Sequence, residues 1–289
     1  MHSHLATPKA TIETLQSFGL YTKKRLGQHF LIDDNVIGRI LAAAAVGESD
    51  QILEIGPGIG VLTVALLQRL QGAGNTAQVL AIEYDSQLLE VLQHTTQESP
   101  QLIVLNEDAL NIPKLILPIR PTKLIANLPY QVAATNVLDC FEYLPSLQQA
   151  TVMVQKEVAQ RMAARPGTKA YGAYSAKLQL LARPVDSFAV SRNSFLPPPR
   201  VDSSVITLQR HTAGKAVVRS LDQYRQIAAI IDASFQSRRK TILNNLKNIN
   251  ADATKLVGAL TQAEIDPSAR AETLSPADFV RLTDCLISS

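Results

Sequence analysis

The sequence predicts an α/β protein in which a parallel, doubly wound sheet is followed by a small all-α domain. Short apolar runs alternate with helical periodicity through residues 51–154, and only helical patterns continue after residue 220. The length of 289 residues accommodates a complete α/β core together with a smaller appended unit. We therefore predict two domains, residues 1–213 and residues 214–289.

The elements of the first domain are predicted from periodicity, turn residues and caps. Thr7 and Pro8 fit an N-cap and a first helical position, and Asp33 or Asp34 can cap the next helix. The predicted helices cover residues 8–18, 36–46, 61–70, 87–95 and 134–144, and another begins at residue 173. The predicted strands cover residues 51–55, 79–83, 102–105, 123–126 and 150–154. Ligands of such a sheet are expected at the carboxyl ends of its strands.

The second domain is predicted to be helical throughout. Its predicted helices cover residues 224–235, 239–246 and 254–260, and a last helix begins within residues 275–278. That last segment (SPAD) fits a capping box with proline at the first helical position.

Composition excludes several classes of protein. Apolar residues make up 46% and charged residues 18%, which is ordinary for a globular chain and too apolar for a disordered one. No run is long enough to span a membrane, and the first ten residues lack a signal peptide's apolar segment, so we expect a cytoplasmic protein. Cys140 and Cys285 provide neither a disulfide framework nor zinc-ligand spacing, so no metal site is expected.

Charge is unevenly distributed although the net charge is only +3. Residues 31–150 contain five Lys/Arg and thirteen Asp/Glu, whereas residues 151–213 contain nine Lys/Arg and three Asp/Glu. The first 30 residues are also basic, with four Lys/Arg and one acid. This asymmetry favours a nucleic-acid surface built from the N-terminal arm and the second half of the chain, and ordinary solubilising charge is the alternative.

A glycine-rich segment, residues 54–60 (EIGPGIG), lies between a predicted strand and a predicted helix. Glycines there permit a tight turn and a close approach of the backbone to a nucleotide-like ligand. The dinucleotide pattern fails because the sixth position counted from Gly56 is Val61, and the segment lacks the Gly-Lys-Ser/Thr ending of a P-loop. A tight connection without a ligand is the alternative.

Two acids follow the next strands in register. Glu83 ends one predicted strand, where a carboxylate can accept both ribose hydroxyls, and Asp108 follows the next, where it can accept from an adenine amino group. Either acid alone fits a solvated or capping role, and Asp85 competes with Glu83 by proximity. The series Gly56, Glu83, Asp108 nevertheless favours a cofactor that contains adenosine and no phosphates.

The sharpest motif is Asn-Leu-Pro-Tyr at residues 127–130, at the end of the fourth predicted strand. An exocyclic adenine nitrogen is a poor nucleophile because its lone pair is delocalised into the ring. The side-chain oxygen of Asn127 and the carbonyl of Pro129, which we expect to lack a ladder partner, can hold both amino hydrogens and aim the lone pair. Tyr130 offers a stacking face, worth about 1–3 kcal/mol in nucleic-acid sites. A strand-ending turn with Tyr130 in the core is the alternative.

Five motifs in order resemble the ribosomal RNA adenine N6,N6-dimethyltransferase family, and in particular its bacterial small-subunit type. They are residues 26–31 (LGQHFL), 54–60, 127–130, 195–203 (FLPPPRVDS) and 235–241 (FQSRRKT). The resemblance runs from about residue 7 to the end of the chain. It implies a Rossmann-like class I methyltransferase domain, a small helical domain and S-adenosylmethionine as cofactor. It also implies dimethylation of two adjacent adenosines near the 3′ end of 16S rRNA, in the small subunit or its precursor, by a monomer.

The resemblance also assigns roles residue by residue. The implied cofactor contacts are His29, Leu31, Gly56, Glu83, Asp108 and Asn127. The implied adenine site comprises Asn127, Pro129 and Tyr130, with Phe195 on the opposite face of the base. One position departs from the family, because Gln131 stands where the motif commonly continues with Asn, which keeps an amide but changes its reach.

Two basic clusters are candidate RNA contacts. The first is Lys23, Lys24 and Arg25, and the second is Arg238, Arg239 and Lys240. We expect the second cluster to open a helix, where three cations oppose the helix dipole and so indicate an RNA phosphate partner. A solvated face is the alternative.

Two further functions remain open at this stage. One is a large-subunit methyltransferase of the macrolide-resistance type, and the other is a ribosome-assembly factor that keeps the fold without activity. The intact glycine segment and Asn127–Tyr130 motif weigh against loss of activity.

Overall fold

The computed structural model describes residues 1–21, 28–71, 76–97, 99–212, 217–248 and 252–288. Its strands are β1 (Phe30–Leu31), β2 (Gln51–Ile55), β3 (Gln78–Glu83), β4 (Leu102–Asn106), β5 (Lys123–Asn127), β6 (Gln149–Gln155), β7 (Ala182–Val190), β8 (Phe195–Leu196) and β9 (Ser203–Arg210). Its α-helices are α1 (Pro8–Ser17), α2 (Asp34–Ala44), α3 (Val61–Leu70), α4 (Gln87–Thr95), α5 (Ala133–Tyr143), α6 (Lys156–Met162), α7 (Ala173–Leu181), α8 (Leu221–Ser234), α9 (Ile242–Leu246), α10 (Ala253–Gln262) and α11 (Pro276–Ser288).

A seven-stranded sheet has the order β4-β3-β2-β5-β6-β9-β7. The first five strands are parallel, with Gln51 opposite Gln78 and Lys123 opposite Gln149, whereas β9 runs antiparallel to β6. The strand order reverses at β2 and β5, so the loops after these strands diverge and leave a crevice at their carboxyl ends. The α/β prediction is confirmed. The short antiparallel pair of β1 and β8 joins Phe30 to Leu196.

The core lies between the sheet and its helices. Ile52 and Val79 on the strands and Ile37 and Leu66 on the helices are completely buried. Each such side chain contributes about 1.5–3 kcal/mol relative to an exposed one. The strand ends, which carry the candidate site, are therefore fixed by a rigid scaffold.

The chain forms two compact units. Met1–Ala159 and Pro184–Gln209 make up the first, and Gln160–Arg183 and Arg210–Ser289 make up the second. This division differs from the single boundary predicted at residues 213 and 214, because α7 packs against α8 and α11. Tyr171, just before α7, is completely buried, and its hydroxyl donates to the carbonyl of Leu274 at 2.9 Å. The helical unit is thus completed by a segment from the middle of the chain.

Two other expectations are corrected. Strands β1, β7, β8 and β9 were not predicted. The helix predicted to begin at residue 239 begins at Ile242, and Thr241 caps it by accepting from the Asn244 backbone at 3.3 Å. The second basic cluster therefore lies in the turn before α9, outside its first helical turn, and the helix-dipole argument for it was wrong. Within the described part of the chain, none of the helices combines the length and apolarity needed to cross a bilayer.

Candidate cofactor and substrate site

A cavity of about 830 Å³ lies at the carboxyl ends of the strands in the first unit. The glycine segment, the residues that follow β3 and β5, and residues 28–31 and 197–201 line it. Of the site residues predicted from the sequence, those lining the cavity are His29, Leu31, Gly56, Glu83, Asp108, Asn127, Pro129 and Tyr130. The sequence prediction thus named positions that the fold brings to one place.

The glycine segment after β2 fits closely against its neighbours. Gly56 has φ +69° and Gly58 has φ +62°, which are left-handed values that favour glycine. A Cβ atom on Gly56 would lie 3.2 Å from the Pro129 ring, and one on Gly58 would lie 3.1 Å from the Phe30 ring. Side chains here would force both walls of the cavity apart.

Glu83 connects the end of β3 to this glycine turn. Its Oε2 accepts from the Gly58 backbone at 3.0 Å, and its Oε1 accepts from the Asp85 backbone at 2.8 Å. Only 6% of Glu83 is exposed, and burial raises its pKa above the ordinary value despite these bonds. The carboxylate is therefore held rigidly, with remaining lone pairs for a ligand.

Asp85, the alternative to Glu83 as the ribose ligand, accepts hydrogen bonds within the protein through both carboxylate oxygens. Its Oδ1 accepts from the Gln87 backbone at 3.2 Å, and its Oδ2 accepts from the Gln28 side chain at 3.0 Å. Asp108 caps a short 3₁₀ helix, Ala109–Lys114, through Oδ1 and the Leu110 backbone at 2.9 Å. Both acids line the cavity, and Asp108 remains half-buried at its rim.

Glu54, the first residue of the glycine segment, carries an unusual carboxyl group. It lines the cavity although only 1% of it is exposed, and its Oε2 has no hydrogen-bond partner among the described residues. Burial raises its pKa to about 8, with a further contribution from the Glu83 charge, while the Thr63 hydroxyl opposes the rise. This pKa leaves the carboxyl largely protonated at neutral pH, and a cationic ligand beside it would favour the ionised form.

This lining fits S-adenosylmethionine. The acids complement a sulfonium and an ammonium group, and the glycine turn provides the close backbone approach. Tyr84 and Leu110, both largely exposed, add apolar surface to the same part of the cavity. Among the described residues, no group of three or more His, Cys, Asp or Glu is arranged to hold a metal ion.

Residues 28–31 tie the parts of the cavity together through His29. The Nδ1 atom of His29 lies 2.7 Å from the Pro197 carbonyl, and because that carbonyl only accepts, Nδ1 carries the hydrogen. The His29 backbone carbonyl accepts from the Asn127 side-chain nitrogen at 3.2 Å. Leu31 is buried in β1, with its side chain in the core cluster.

Asn127, the last residue of β5, is oriented by that bond. Because its amide nitrogen donates to His29, its side-chain oxygen is left as the acceptor for a ligand. The carbonyl of Pro129 accepts from the Val132 backbone at 3.2 Å. The Pro129 carbonyl thus lacks a ladder partner among the described residues, as expected, but its turn bond leaves only the second lone pair available.

Tyr130 is fixed by two contacts. Its hydroxyl lies 2.6 Å from the Ser203 hydroxyl, and its ring stacks on His29 with centroids 5.6 Å apart and planes 28° apart. Burial raises the pKa of the phenol, so it remains neutral at ordinary pH. A base that stacks on Tyr130 must use the ring face opposite His29.

Phe195 does not reach the cavity. Its side chain is 2% exposed and belongs to the core cluster, and its backbone pairs with Leu31 across β1 and β8. The neighbouring residues 197–201 line the cavity instead. Part of the motif at residues 195–203 therefore lies at the site, but the Phe195 side chain does not.

The second basic cluster divides into two kinds of residue. Arg238 donates to the Tyr171 carbonyl at 2.7 Å and lies 3.7 Å from the Glu272 carboxylate, so it holds the helical unit together. Arg239 and Lys240 are exposed. The first cluster, Lys23, Lys24 and Arg25, falls outside the described residues.

Sequence reasoning missed several cavity residues. Gln28 and Gln155 line the cavity and were not assigned roles, and neither was Ser203, which binds the Tyr130 hydroxyl and ends a motif that carried the resemblance. The motif at residues 195–203 was the sequence signal that could have identified Ser203. Gln131 is exposed at the cavity, where its amide replaces the family's usual Asn.

The whole chain is similar to known proteins. The chain is 40% identical over 287 residues to "Ribosomal RNA small subunit methyltransferase A" of Thermobifida fusca, covering 98% of this chain and 96% of that protein. It is 37% identical to the protein of that name from Enterococcus faecalis, covering 99% and 97%.

Two solved structures resemble the chain at 25% identity. A dimethyladenosine transferase from Plasmodium falciparum has a TM-score of 0.70, covering 88% of this chain and 96% of that one. The 23S rRNA methyltransferase ErmE has a TM-score of 0.66, covering 89% and 99%. Residues 19–288 match the family described as "Ribosomal RNA adenine dimethylase", and the chain therefore belongs to that family.

Proposed function

We propose that this rRNA adenine dimethylase modifies two adjacent adenosines in a hairpin loop near the 3′ end of 16S rRNA, in the small ribosomal subunit or its precursor. It transfers methyl groups from S-adenosylmethionine to the N6 atoms, and it acts in the cytoplasm as a monomer. The observation that carries the proposal is the orientation of Asn127, whose nitrogen is bound to His29 and whose oxygen is thereby left to accept.

The acid-lined part of the cavity would hold the cofactor. Glu83 would accept from the ribose hydroxyls, Asp108 from the adenine amino group, and the Glu54 carboxyl would complement positive charge. Gly56, His29 and Leu31 would form the adjoining walls. When bound, the cofactor supplies an electrophilic methyl group on sulfur, and the protein supplies position and electrostatics.

The part of the cavity at the end of β5 would hold the target adenine. The base stacks on Tyr130, and its amino hydrogens bind the Asn127 oxygen and the remaining lone pair of the Pro129 carbonyl. These acceptors draw the N6 lone pair out of conjugation and direct it along the line of transfer. No strong base is required beforehand, because the bond between methyl and sulfur would break as the new N–C bond forms, and the extra proton would then pass to solvent. The base must leave its stack to reach this depth, as in other enzymes that modify bases.

The names of the relatives support the choice of the small subunit. Relatives named for the small subunit are 37–40% identical over nearly their whole length, whereas ErmE, named for 23S rRNA, is 25% identical. Small and large subunits incubated separately with tritiated S-adenosylmethionine test this choice. Label in the small subunit, with a primer-extension stop at two adjacent adenosines, is the expected result, and label confined to the large subunit would contradict it.

Asn127→Ala separates an enzyme from a binding protein on the same fold. Loss of an acceptor that acts on the reacting nitrogen should lower methyl incorporation by about two orders of magnitude and leave subunit binding within a few-fold. Asn35→Ala, an exposed residue of α2, is the matched control and should change neither. Near-normal methylation by Asn127→Ala would refute the acceptor mechanism, and no methylation by the wild type would support an assembly factor.

A further inference from the structure

The cavity is electrostatically divided. The acids that line it lie within or just after β2, β3 and β4, whereas no acid among the described residues lines it after β5 and β6. These acids are Glu54, Glu83, Asp85 and Asp108. Arg200 lines the cavity and is the one Lys or Arg to do so in the part of the chain that the structure describes. Arg200 would repel a cationic cofactor, so its position at this cavity indicates a different, anionic ligand.

The segment that carries Arg200 is fixed at both ends. Three consecutive prolines, residues 197–199, restrict its backbone, and the His29 ring binds the Pro197 carbonyl at 2.7 Å. On the other side, the Asp202 carboxylate accepts from the Arg192 backbone at 3.2 Å, and its carbonyl accepts from the Lys156 backbone at 3.0 Å. Arg200 is therefore presented at a defined place on the rim.

The Arg200 side chain is exposed and makes no ion pair or side-chain hydrogen bond with any residue that the structure describes. This distinguishes it from Arg238, whose guanidinium is engaged by two carbonyls. A guanidinium presents donors in a planar fork that matches phosphate oxygens. When a base enters a pocket, its sugar and phosphates stay at the mouth, which is where Arg200 lies.

We propose that Arg200 binds an RNA backbone phosphate adjacent to the target adenosine and so positions the base against Asn127 and Tyr130. This inference rests on the proposed function, since it assigns the RNA side of the same cavity. Phosphate contacts of this kind fix register and orientation, while the pocket recognises the base. Arg200 is thus a positioning residue, and its loss should affect RNA capture more than the transfer itself.

The test compares Arg200→Gln with Arg120→Gln in the full protein. Arg120 is likewise exposed, but it precedes β5 and lies at the amino ends of the parallel strands, opposite the cavity. Arg200→Gln should raise KM for small subunits about tenfold with kcat within threefold, and it should leave S-adenosylmethionine affinity unchanged. The slope of log K against log salt for subunit binding should fall by about 0.7–0.9, the value of one phosphate contact. Arg200→Lys should keep that slope because it keeps the charge.

Identical KM values and salt slopes for Arg200→Gln and Arg120→Gln would overturn the proposal, and so would a loss of cofactor affinity equal to the rise in KM. The binding slope does not depend on turnover. If the wild type fails to methylate small subunits, the proposed function is wrong. The salt slope of subunit binding by Arg200→Gln still shows whether Arg200 contacts a phosphate: a reduced slope supports the contact and an unchanged slope refutes it. Thermal unfolding of each variant confirms that the comparison concerns folded protein.

Discussion

Glu83→Gln is the sharpest test of the cofactor assignment, because it changes charge and hydrogen bonding at nearly constant shape. The Glu83 carboxylate accepts from Gly58 and Asp85 through different oxygens. A glutamine retains one oxygen and must turn its amide hydrogens toward one of those backbone donors. The variant therefore loses charge-assisted acceptance of a ribose hydroxyl, worth about 1.5–3 kcal/mol. At 1.4 kcal/mol per tenfold, the dissociation constant of S-adenosylmethionine should rise about 10- to 150-fold.

Calorimetric titration of the cofactor into each variant measures this effect directly. Asp85→Asn is the control. The Asp85 carboxylate lies near Glu83, but its oxygens already accept hydrogen bonds from the Gln28 side chain and the Gln87 backbone. It should change the affinity less than about threefold. Unchanged binding by Glu83→Gln would refute the ribose assignment, and a larger loss in Asp85→Asn would transfer the role to that residue.

Two other predictions concern pH and the basic cluster. The pKa of Glu54 is about 8 in the folded protein against an ordinary 4.5, so folding retains a proton that the unfolded chain releases between these values. The wild type should therefore lose stability relative to Glu54→Gln as pH rises from about 5 to 8, and parallel curves of Tm against pH would contradict this. Arg238→Gln should lower the free energy of unfolding by about 1–2 kcal/mol through lost carbonyl bonds. Replacing Arg239 and Lys240 by Gln should instead reduce the salt slope of subunit binding by up to about 0.7–0.9 for each lost phosphate contact, without loss of stability. Stability loss in the double variant, or none in Arg238→Gln, would reverse these roles.

The parts of the fold that could be predicted are those with a local signal. Strands β2 to β6 are short apolar runs, buried in the core except for the half-buried edge strand β4, and their bounds were recovered within one residue. Strands β1 and β8 contain two residues each, and their pairing joins Phe30 to Leu196 across most of the chain. Strand β7 lies at the sheet edge and is largely exposed, so it lacks the apolar pattern of a buried strand.

The candidate site divides in the same way. Gly56, Glu83 and Asn127 were predictable because parallel strands place their carboxyl ends at one edge. The bonds that orient them join residues far apart in sequence, such as Gln28 with Asp85 and Tyr130 with Ser203. Phe195 illustrates the opposite failure, because a motif can lie at the site while one of its side chains points into the core.

His29 shows why the two sides of the cavity cannot be treated as independent. Its backbone carbonyl orients Asn127, its ring supports one face of Tyr130, and its Nδ1 holds the segment that carries Arg200. The adjacent Gln28 binds Asp85 on the acid-lined side. A displacement of residues 28–31 on the acid-lined side would therefore also move the Asn127 amide, the Tyr130 ring and the segment that carries Arg200. In the function that we propose, cofactor binding against residues 28–31 would therefore contribute to the positioning of the adenine.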